Sequence, residues 1–304
     1  MPEPMPDHLN LTKLPSTFEG TVQLPSSKSE SNRALILQAL SAGRISIENL
    51  SEAADTVTLH RLLKQSQAIS DTTVLNVGPA GTAMRFLTAY LCLQQGSFTL
   101  TGSERMKQRP IGILVEALRD LGADIRYLEE EGFPPLEIHG PIQQKSAQVR
   151  VKGNISSQYI TALLLIAGQL PLGLELSIKG ELTSKPYIDM TLAMLSEAGI
   201  EYDWKGDTLS IKPQQLNPCT LSIESDWSAA SYWFSFVALS EQAELHLPGL
   251  KAKSLQGDRA IIDFMNSLGV HTTQDAQGLT LRKSKMVASD LHLDSKNLRT
   301  WHKR

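Results

Sequence analysis

Hydrophobic and polar residues follow one another along the chain in a helix-then-strand order that recurs four times. Each recurrence opens with small polar residues, continues as an apolar run, and then becomes a short segment of alternating apolar and polar positions. The predicted helices span residues 32–40, 83–93, 159–167 and 229–239. The predicted strands after them span residues 44–50, 97–101, 174–179 and 243–247. The pattern therefore predicts four α/β units in which helices pack against sheets.

Glycine marks the end of a second predicted helix in three of these units. Gly122, Gly199 and Gly269 each follow such a helix, where glycine readily takes the left-handed conformation that stops it. A weaker fourth ending lies at residues 67–69. Further strand is predicted at residues 124–128 and 201–204. The alternative interpretation is an ordinary α/β protein whose units resemble one another by chance.

The composition is that of a globular protein. The 304 residues are 41% hydrophobic and 20% charged, which excludes a disordered, collagen-like or coiled-coil chain. The formal net charge of -3 argues against nucleic-acid and membrane-surface partners. Residues 1–10 lack the basic and apolar segments of a signal peptide, and the two cysteines, Cys92 and Cys219, suit a reducing compartment. We therefore expect a cytoplasmic protein.

The starts of the four predicted first helices collect small residues, and several of them have a cation nearby. Helix N-termini carry unpaired N–H groups and the positive end of the helix dipole, so they bind anions. Lys28 and Arg33 flank the first start, and Arg85 follows the second. Further cations stand in the polar loops: Arg105, Lys107, Arg109 and Lys185. A lone surface cation is usually only solvated, but the recurrence predicts a substrate with several negative charges.

Other chemistries have weaker support in the sequence. The seven histidines show no metal-ligand spacing, and no Gly-x-Ser-x-Gly nucleophile motif is present. Several aspartates recur near the junctions of the units, and most of them are expected to cap helices or bind backbone. Asp226, close to Ser228 at the start of the fourth unit, is the one candidate among them for a functional role.

Six motifs, in order, resemble those of the 5-enolpyruvylshikimate-3-phosphate synthase family. They lie at residues 24–34, 80–85, 105–112, 156–158, 184–189 and 256–258, within a resemblance that runs from about residue 14 to about residue 293. The resemblance implies an α/β fold of the α+β type, with two domains of three βαβαββ units each. About four of the six units are expected here. Residues 25–224 would form one complete domain, and residues 1–24 with 225–304 part of the second.

The resemblance also implies an activity. The family transfers the enolpyruvyl group of phosphoenolpyruvate to the 5-hydroxyl of shikimate 3-phosphate and releases phosphate, by addition and then elimination. It needs no metal and no organic cofactor, and its partners are these two small molecules rather than nucleic acid or membrane. The family is usually monomeric, whereas an incomplete second domain would expose apolar surface and favour self-association.

Site residues follow from the matching motifs. Lys28 is implied as the catalytic residue that touches both substrates. The residues implied to bind shikimate 3-phosphate are Lys28, Ser29, Arg33, Ser156, Ser157, Gln158, Ser184 and Tyr187. Those implied to bind phosphoenolpyruvate are Lys28, Gly81, Arg109 and Gln158. Arg85 is expected to be structural, and Pro79 departs from the Asn or Ser that the family usually has there.

The end of the sequence departs from the family. A Pro-Asp pair, whose aspartate acts as a base, is expected near Thr300 but is absent. Shifting the reading frame by one base after Asp294 permits Pro-Asp, so we expect an out-of-frame tail. One alternative is therefore a fragment that binds shikimate 3-phosphate without turnover. A further alternative is the UDP-N-acetylglucosamine enolpyruvyl transferase family, whose reactive loop cysteine neither Cys92 nor Cys219 resembles.

Overall fold

A computed structural model describes residues 16–67, 73–182 and 184–284 of the chain. These residues fall into two compact units. The larger unit contains residues 25–227 and 253–259, and the smaller contains the described residues 16–24, 228–252 and 260–284. The predicted assignment of complete and partial enolpyruvyl transferase domains to the chain stays a prediction.

Helices and strands are interspersed along the described residues. In chain order they are β1 (Thr17–Thr21), α1 (Lys28–Leu40), β2 (Ile45–Glu48), α2 (Ala54–Ser66), β3 (Thr73–Asn76), α3 (Gly81–Leu91), β4 (Gly96–Thr101), α4 (Glu104–Lys107), α5 (Gly112–Leu121), β5 (Asp124–Tyr127), β6 (Leu136–Gly140), β7 (Gln148–Lys152), α6 (Ser157–Ala167), β8 (Leu174–Lys179), α7 (Lys185–Glu197), β9 (Asp203–Lys205), β10 (Thr208–Ile211), β11 (Cys219–Ser222), α8 (Trp227–Leu239), β12 (Gln242–Pro248), α9 (Ile261–Ser267), β13 (Val270–Gln274) and β14 (Gly278–Lys283).

The predicted first helices are confirmed, but each begins earlier than its apolar run. Helix α1 begins at Lys28 because Ser27 caps it, with its hydroxyl oxygen accepting a hydrogen bond from the Glu30 N–H at 3.4 Å. Helix α6 begins at Ser157, and the Ser156 hydroxyl oxygen accepts from the Gln158 N–H. The polar residues before each apolar run are therefore the first turn of the helix.

The glycine stops are confirmed as well. Helix α5 ends at Leu121, and Gly122 takes a left-handed conformation with φ 111°. A Cβ at Gly122 would lie 2.2 Å from the Gln143 carbonyl oxygen, so both the backbone and the packing require glycine here. Gly199 and Gly269 also have positive φ values just after α7 and α9.

Three sheets share one topology, which confirms the repeat. In the larger unit the strand orders are β3-β4-β6-β5 and β7-β8-β10-β9, and in the smaller unit the order is β1-β12-β14-β13. In each sheet the first two strands are parallel and the remaining neighbours are antiparallel. Each repeat is therefore strand, helix, strand, helix and a closing pair of strands.

The leading strands of the first and fourth repeats are exchanged. Strand β1 precedes α1 in sequence but pairs in parallel with β12 of the fourth repeat, with Thr17 opposite Gln242. Strand β11 precedes α8 but pairs in parallel with β2 of the first repeat, with Cys219 opposite Ile45. Each sheet thus takes its leading strand from the other end of the chain.

The first helices of the first three repeats, α1, α3 and α6, lie in the core of the larger unit. Every residue of α6 except Gln158 is buried, as is every residue of α3 except Thr82. Helix α3 packs against α6, which also packs against α7, and α1 packs against α2. Helices α3 and α6 are buried on nearly all sides because other elements of the unit surround them. No helix among the described residues is long and apolar enough to cross a membrane.

The segment 253–259 is tied to the larger unit by a buried polar network. Glu224 accepts hydrogen bonds from the Trp227 indole N–H and from the Ser254 hydroxyl, each at 2.6 Å. The Gln256 side chain accepts from the Trp227 backbone N–H at 3.0 Å and donates to the Ser225 carbonyl at 2.8 Å. Gln256, which one of the six motifs contains, thus has a structural role within this unit.

Candidate active site

Four helix N-termini of the larger unit carry the residues singled out by the sequence. Helices α1 and α6 have serine caps, but α3 and α7 begin without a side-chain cap, at Gly81 and Lys185. Ser184, just before α7, holds the left-handed conformation at φ 59°, which is uncommon for a residue other than glycine. The start of α3 thus has no side-chain cap from Ala80, which suits an anion site.

The starts of α3 and α6 are joined by direct contacts. The Gln158 side-chain amide donates to the Thr82 hydroxyl oxygen at 3.2 Å. The loop after α4 joins them too, since the Pro110 carbonyl accepts from the Tyr159 hydroxyl at 2.6 Å and from Arg85 at 3.1 Å. The start of α3, the start of α6 and the loop after α4 belong to three different motifs, and in the structure they are in contact with one another.

Arg85 is structural, as predicted. It is buried, and its guanidinium donates to the Gly81 carbonyl at 3.2 Å as well as to Pro110. Burial lowers the pKa of Arg85, the neighbouring Tyr159 opposes this shift, and the charge of Arg109 adds to it. Arg85 therefore fixes the loop that carries Arg109 against the start of α3.

Arg33 connects three helices. Its Nε donates to the Thr191 hydroxyl at 2.8 Å, and Nη1 donates to the Ser29 carbonyl at 2.7 Å. Nη2 donates to the Tyr187 carbonyl at 3.1 Å and the Thr161 hydroxyl at 3.4 Å. The guanidinium has five N–H groups, so one on Nη1 remains for a ligand. The brace between α1, α6 and α7 was not predicted from the sequence, and substrate binding by Arg33 stays a prediction.

Arg33 makes this brace with neutral acceptors. It is buried, and burial lowers its pKa to about 10, which the nearby Tyr187 and Glu30 partly oppose. No carboxylate of the described residues lies within ion-pair distance of it. A buried cation without a carboxylate partner raises the potential around the starts of α1 and α7, which favours an anion there.

Lys28 remains largely available. Its side chain is 44% exposed, and its Nζ lies 4.0 Å from a carboxylate oxygen of Asp55 at the start of α2. An exposed pair at this distance is worth little and is easily exchanged for another anion. The Lys28 backbone N–H lies 3.5 Å from a carboxylate oxygen of Asp226, the aspartate singled out in the sequence. The sequence did not indicate Asp55 as the Lys28 partner.

Gly81 and Arg109 are in direct contact. A Cβ at Gly81 would lie 2.5 Å from Arg109 Nη1 and 2.6 Å from Nη2, so the guanidinium lies over the first residue of α3. Arg109 is exposed, and its guanidinium has no hydrogen bond or ion pair with any described residue. A cavity of about 510 Å³ opens beside it. An unpaired guanidinium at an uncapped helix start is suited to bind a carboxylate or a phosphate.

The remaining predicted residues lie at the same helix starts. Ser29 is in the first turn of α1, Ser157 begins α6, and Tyr187 lies in the first turn of α7, with its ring 5.9 Å from Arg33. The structure thus links Ser29 with Tyr187 through Arg33, and Gly81 with Gln158 through Thr82. The position expected for the missing aspartate, near Thr300, and the whole tail after Asp294 lie outside the described residues.

The family model for EPSP synthase (3-phosphoshikimate 1-carboxyvinyltransferase) matches residues 12–71 and 64–300 of this chain. The chain belongs to the EPSP synthase family. It is 46% identical over 285 residues to the 3-phosphoshikimate 1-carboxyvinyltransferase of Bacteroides fragilis (strain YCH46), a match that covers 93% of this chain and 68% of the relative. It is 38% identical over 306 residues to the same enzyme of Haemophilus influenzae (strain ATCC 51907 / DSM 11121 / KW20 / Rd), covering 92% of this chain and 70% of the relative.

Solved EPSP synthases share the fold. An EPSP synthase of Acinetobacter baumannii superposes with a TM-score of 0.75 at 20% identity, over 93% of this chain and 68% of the other. This confirms the mixed α/β fold predicted from the motifs. The match to the EPSP synthase family also confirms the predicted resemblance over the UDP-N-acetylglucosamine enolpyruvyl transferase alternative.

Proposed function

We propose that this chain binds shikimate 3-phosphate and phosphoenolpyruvate for the transfer of the enolpyruvyl group to the 5-hydroxyl of shikimate 3-phosphate, with release of phosphate. This is the family reaction. The observation that supports this reaction for the present chain is the position of the unpaired Arg109 guanidinium, which lies over Gly81 at the start of α3. The start of α6 lies next to it, because Gln158 of α6 donates a hydrogen bond to Thr82 of α3. A doubly anionic ligand matches this arrangement of cations and uncapped N–H groups.

The two ligands divide the helix starts between them. Phosphoenolpyruvate would lie at α3, with Arg109 and the first N–H groups of the helix on one anionic group and Gln158 beside it. Shikimate 3-phosphate would lie across α1, α6 and α7, bound by Lys28, Ser29, Arg33, Ser156, Ser157, Gln158, Ser184 and Tyr187. Lys28 is half exposed and weakly paired, so it is able to reach a group shared by both ligands.

The contribution of these residues to the chemistry is positioning and charge. Addition of the 5-hydroxyl to phosphoenolpyruvate and elimination of phosphate both redistribute negative charge, which fixed cations stabilise without reorganisation. Lys28 is the residue of this set suited to move a proton, because its ammonium is accessible. Residues 25–224 are proposed as the complete three-repeat domain, and a cytoplasmic location is proposed with it.

Two measurements on the purified chain test the proposal. Calorimetry with shikimate 3-phosphate, and then with phosphoenolpyruvate added, should show binding of both, and a phosphate assay should report turnover. Arg109→Gln should weaken phosphoenolpyruvate binding. Arg126→Gln is the matched control, since it removes the same charge from an exposed arginine that pairs with Asp124 on β5. Absence of binding by either ligand would contradict the proposed function.

A second candidate is binding without turnover. The chain matches 68–70% of the length of these relatives. Binding of shikimate 3-phosphate with no phosphate release would select this candidate over the complete reaction. Self-association of the chain stays a prediction, which sedimentation of the same sample would measure.

A further inference from the structure

The cavity beside Arg109 has a second arginine that the proposed function does not use. Its wall includes Pro79, Ser103, Arg105, Met106 and Arg109. No acidic side chain is among these lining residues. Arg105 lies on α4, four residues before Arg109, and both line the same space of about 510 Å³.

The three cations of this segment are not equivalent. Lys107 is neutralised, since its Nζ lies 3.0 Å from a Glu129 oxygen and 3.6 Å from a Glu104 oxygen. The Arg105 guanidinium has no hydrogen bond or ion pair with any residue that the structure describes, and the Arg109 guanidinium has none either. The nearby acidic side chains therefore pair with Lys107, and the guanidinium groups of Arg105 and Arg109 stay unpaired at the cavity.

The backbone that carries Arg105 is held in place. Ser103 caps α4 by accepting from the Met106 N–H, and its own N–H donates to the Gly78 carbonyl at 3.0 Å. Met106 is buried, and its sulfur lies 3.6 Å from Arg85 Nη1. The Arg109 N–H donates to the Met106 carbonyl at 3.0 Å. The turn that carries Arg105 is thus anchored at Ser103, to the segment before α3, and at Met106, to Arg85 of α3.

We infer that Arg105, with the Ser103 hydroxyl, forms an outer subsite of this cavity for a phosphate-bearing anion, from which phosphoenolpyruvate passes to Arg109. This inference rests on the proposed function. A cavity whose described lining residues carry only positive charge concentrates counter-ions, and the guanidinium of arginine pairs with phosphate in a bidentate way. The Ser103 oxygen accepts from backbone, so its hydroxyl hydrogen remains to donate to the anion.

The test measures the affinity of the chain for inorganic phosphate and for phosphoenolpyruvate at two salt concentrations. Arg105→Gln should weaken both affinities about tenfold and reduce their salt dependence. Arg105→Lys keeps the charge but not the bidentate geometry, so its affinities should lie between those of wild type and Arg105→Gln. Lys107→Gln is the matched control, because it removes one charge from the same turn at a position already neutralised. It should change the affinities less than twofold.

Each outcome separates this inference from the proposed function. If wild type binds phosphoenolpyruvate and Arg105→Gln binds equally well, or no worse than Lys107→Gln, the outer subsite is wrong and the proposed function stands. If wild type binds neither anion, both are wrong. Circular dichroism of each variant establishes that the fold is retained, and Arg105→Lys keeps the test decisive if Arg105→Gln does not fold.

Discussion

The contact between Gly81 and Arg109 makes the substitution Gly81→Ala a sharp test of the site. The new methyl group would lie 2.5 Å from Arg109 Nη1, 2.6 Å from Nη2 and 2.8 Å from Cζ, while ordinary contact starts at 3.4 Å. The guanidinium would therefore have to retreat by about 0.9 Å to reach ordinary contact. Because Arg109 is the exposed end of a flexible side chain, that movement costs the fold little.

Stability and binding should consequently change in different directions. Gly81 is the first residue of α3 and does not have a positive φ, so alanine there should stabilise the protein by about 0.4–1 kcal/mol. The displaced guanidinium should lose its charge-assisted hydrogen bond to phosphoenolpyruvate, worth about 1.5–3 kcal/mol. That energy corresponds to roughly a 10- to 150-fold loss of affinity.

The assay is a double-mutant cycle. Calorimetry with phosphoenolpyruvate, at saturating shikimate 3-phosphate, compares wild type, Gly81→Ala, Arg109→Ala and the double variant, and thermal unfolding reports stability. Gly112→Ala is the control, since it makes the same change at the first residue of α5, where the nearest heavy atom to the new Cβ is the Gly132 Cα at 3.3 Å. If Gly81→Ala weakens binding as much without Arg109 as with it, the displacement mechanism is refuted.

Three further predictions concern buried groups. Arg33→Met should lower the free energy of unfolding by about 2–4 kcal/mol in urea titration, because it removes the hydrogen bonds that Arg33 donates to Thr161 of α6 and to Tyr187 and Thr191 of α7; an effect under about 0.5 kcal/mol would mean that the brace is unimportant. Tyr159→Phe should cost about 1 kcal/mol through the lost bond to Pro110, and an unchanged unfolding midpoint would contradict that bond. Burial raises the pKa of the Cys92 thiol to about 12 from 9.0, so the folded protein keeps this proton when the unfolded chain loses it. Stability should therefore fall as pH rises from 9.0 towards about 12, and Cys92→Ala should reduce that fall; native Cys92 that reacts freely with a thiol reagent at neutral pH would refute the burial argument.

The amino-acid sequence by itself determined the repeats and the helix starts. The apolar runs, the serine caps before α1 and α6, and the glycine after α5 are local signals, and each acts within a few residues of chain. They were sufficient to place Lys28, Gly81 and Ser156 at helix N-termini. The motifs added the family, which the match to the EPSP synthase model confirms.

Only the tertiary structure decided which of these residues meet. The exchange of β1 and β11 joins strands about two hundred residues apart, and no local pattern specifies such a partner. The sequence indicated Arg33 only as a ligand for shikimate 3-phosphate, which stays a prediction, and packing also makes it a brace between α1, α6 and α7. Arg105, Lys107 and Arg109 look alike in sequence, but Glu129 neutralises only the lysine. Whether a charged side chain is paired depends on the groups within a few ångströms of it, and packing rather than position along the chain decides which groups those are.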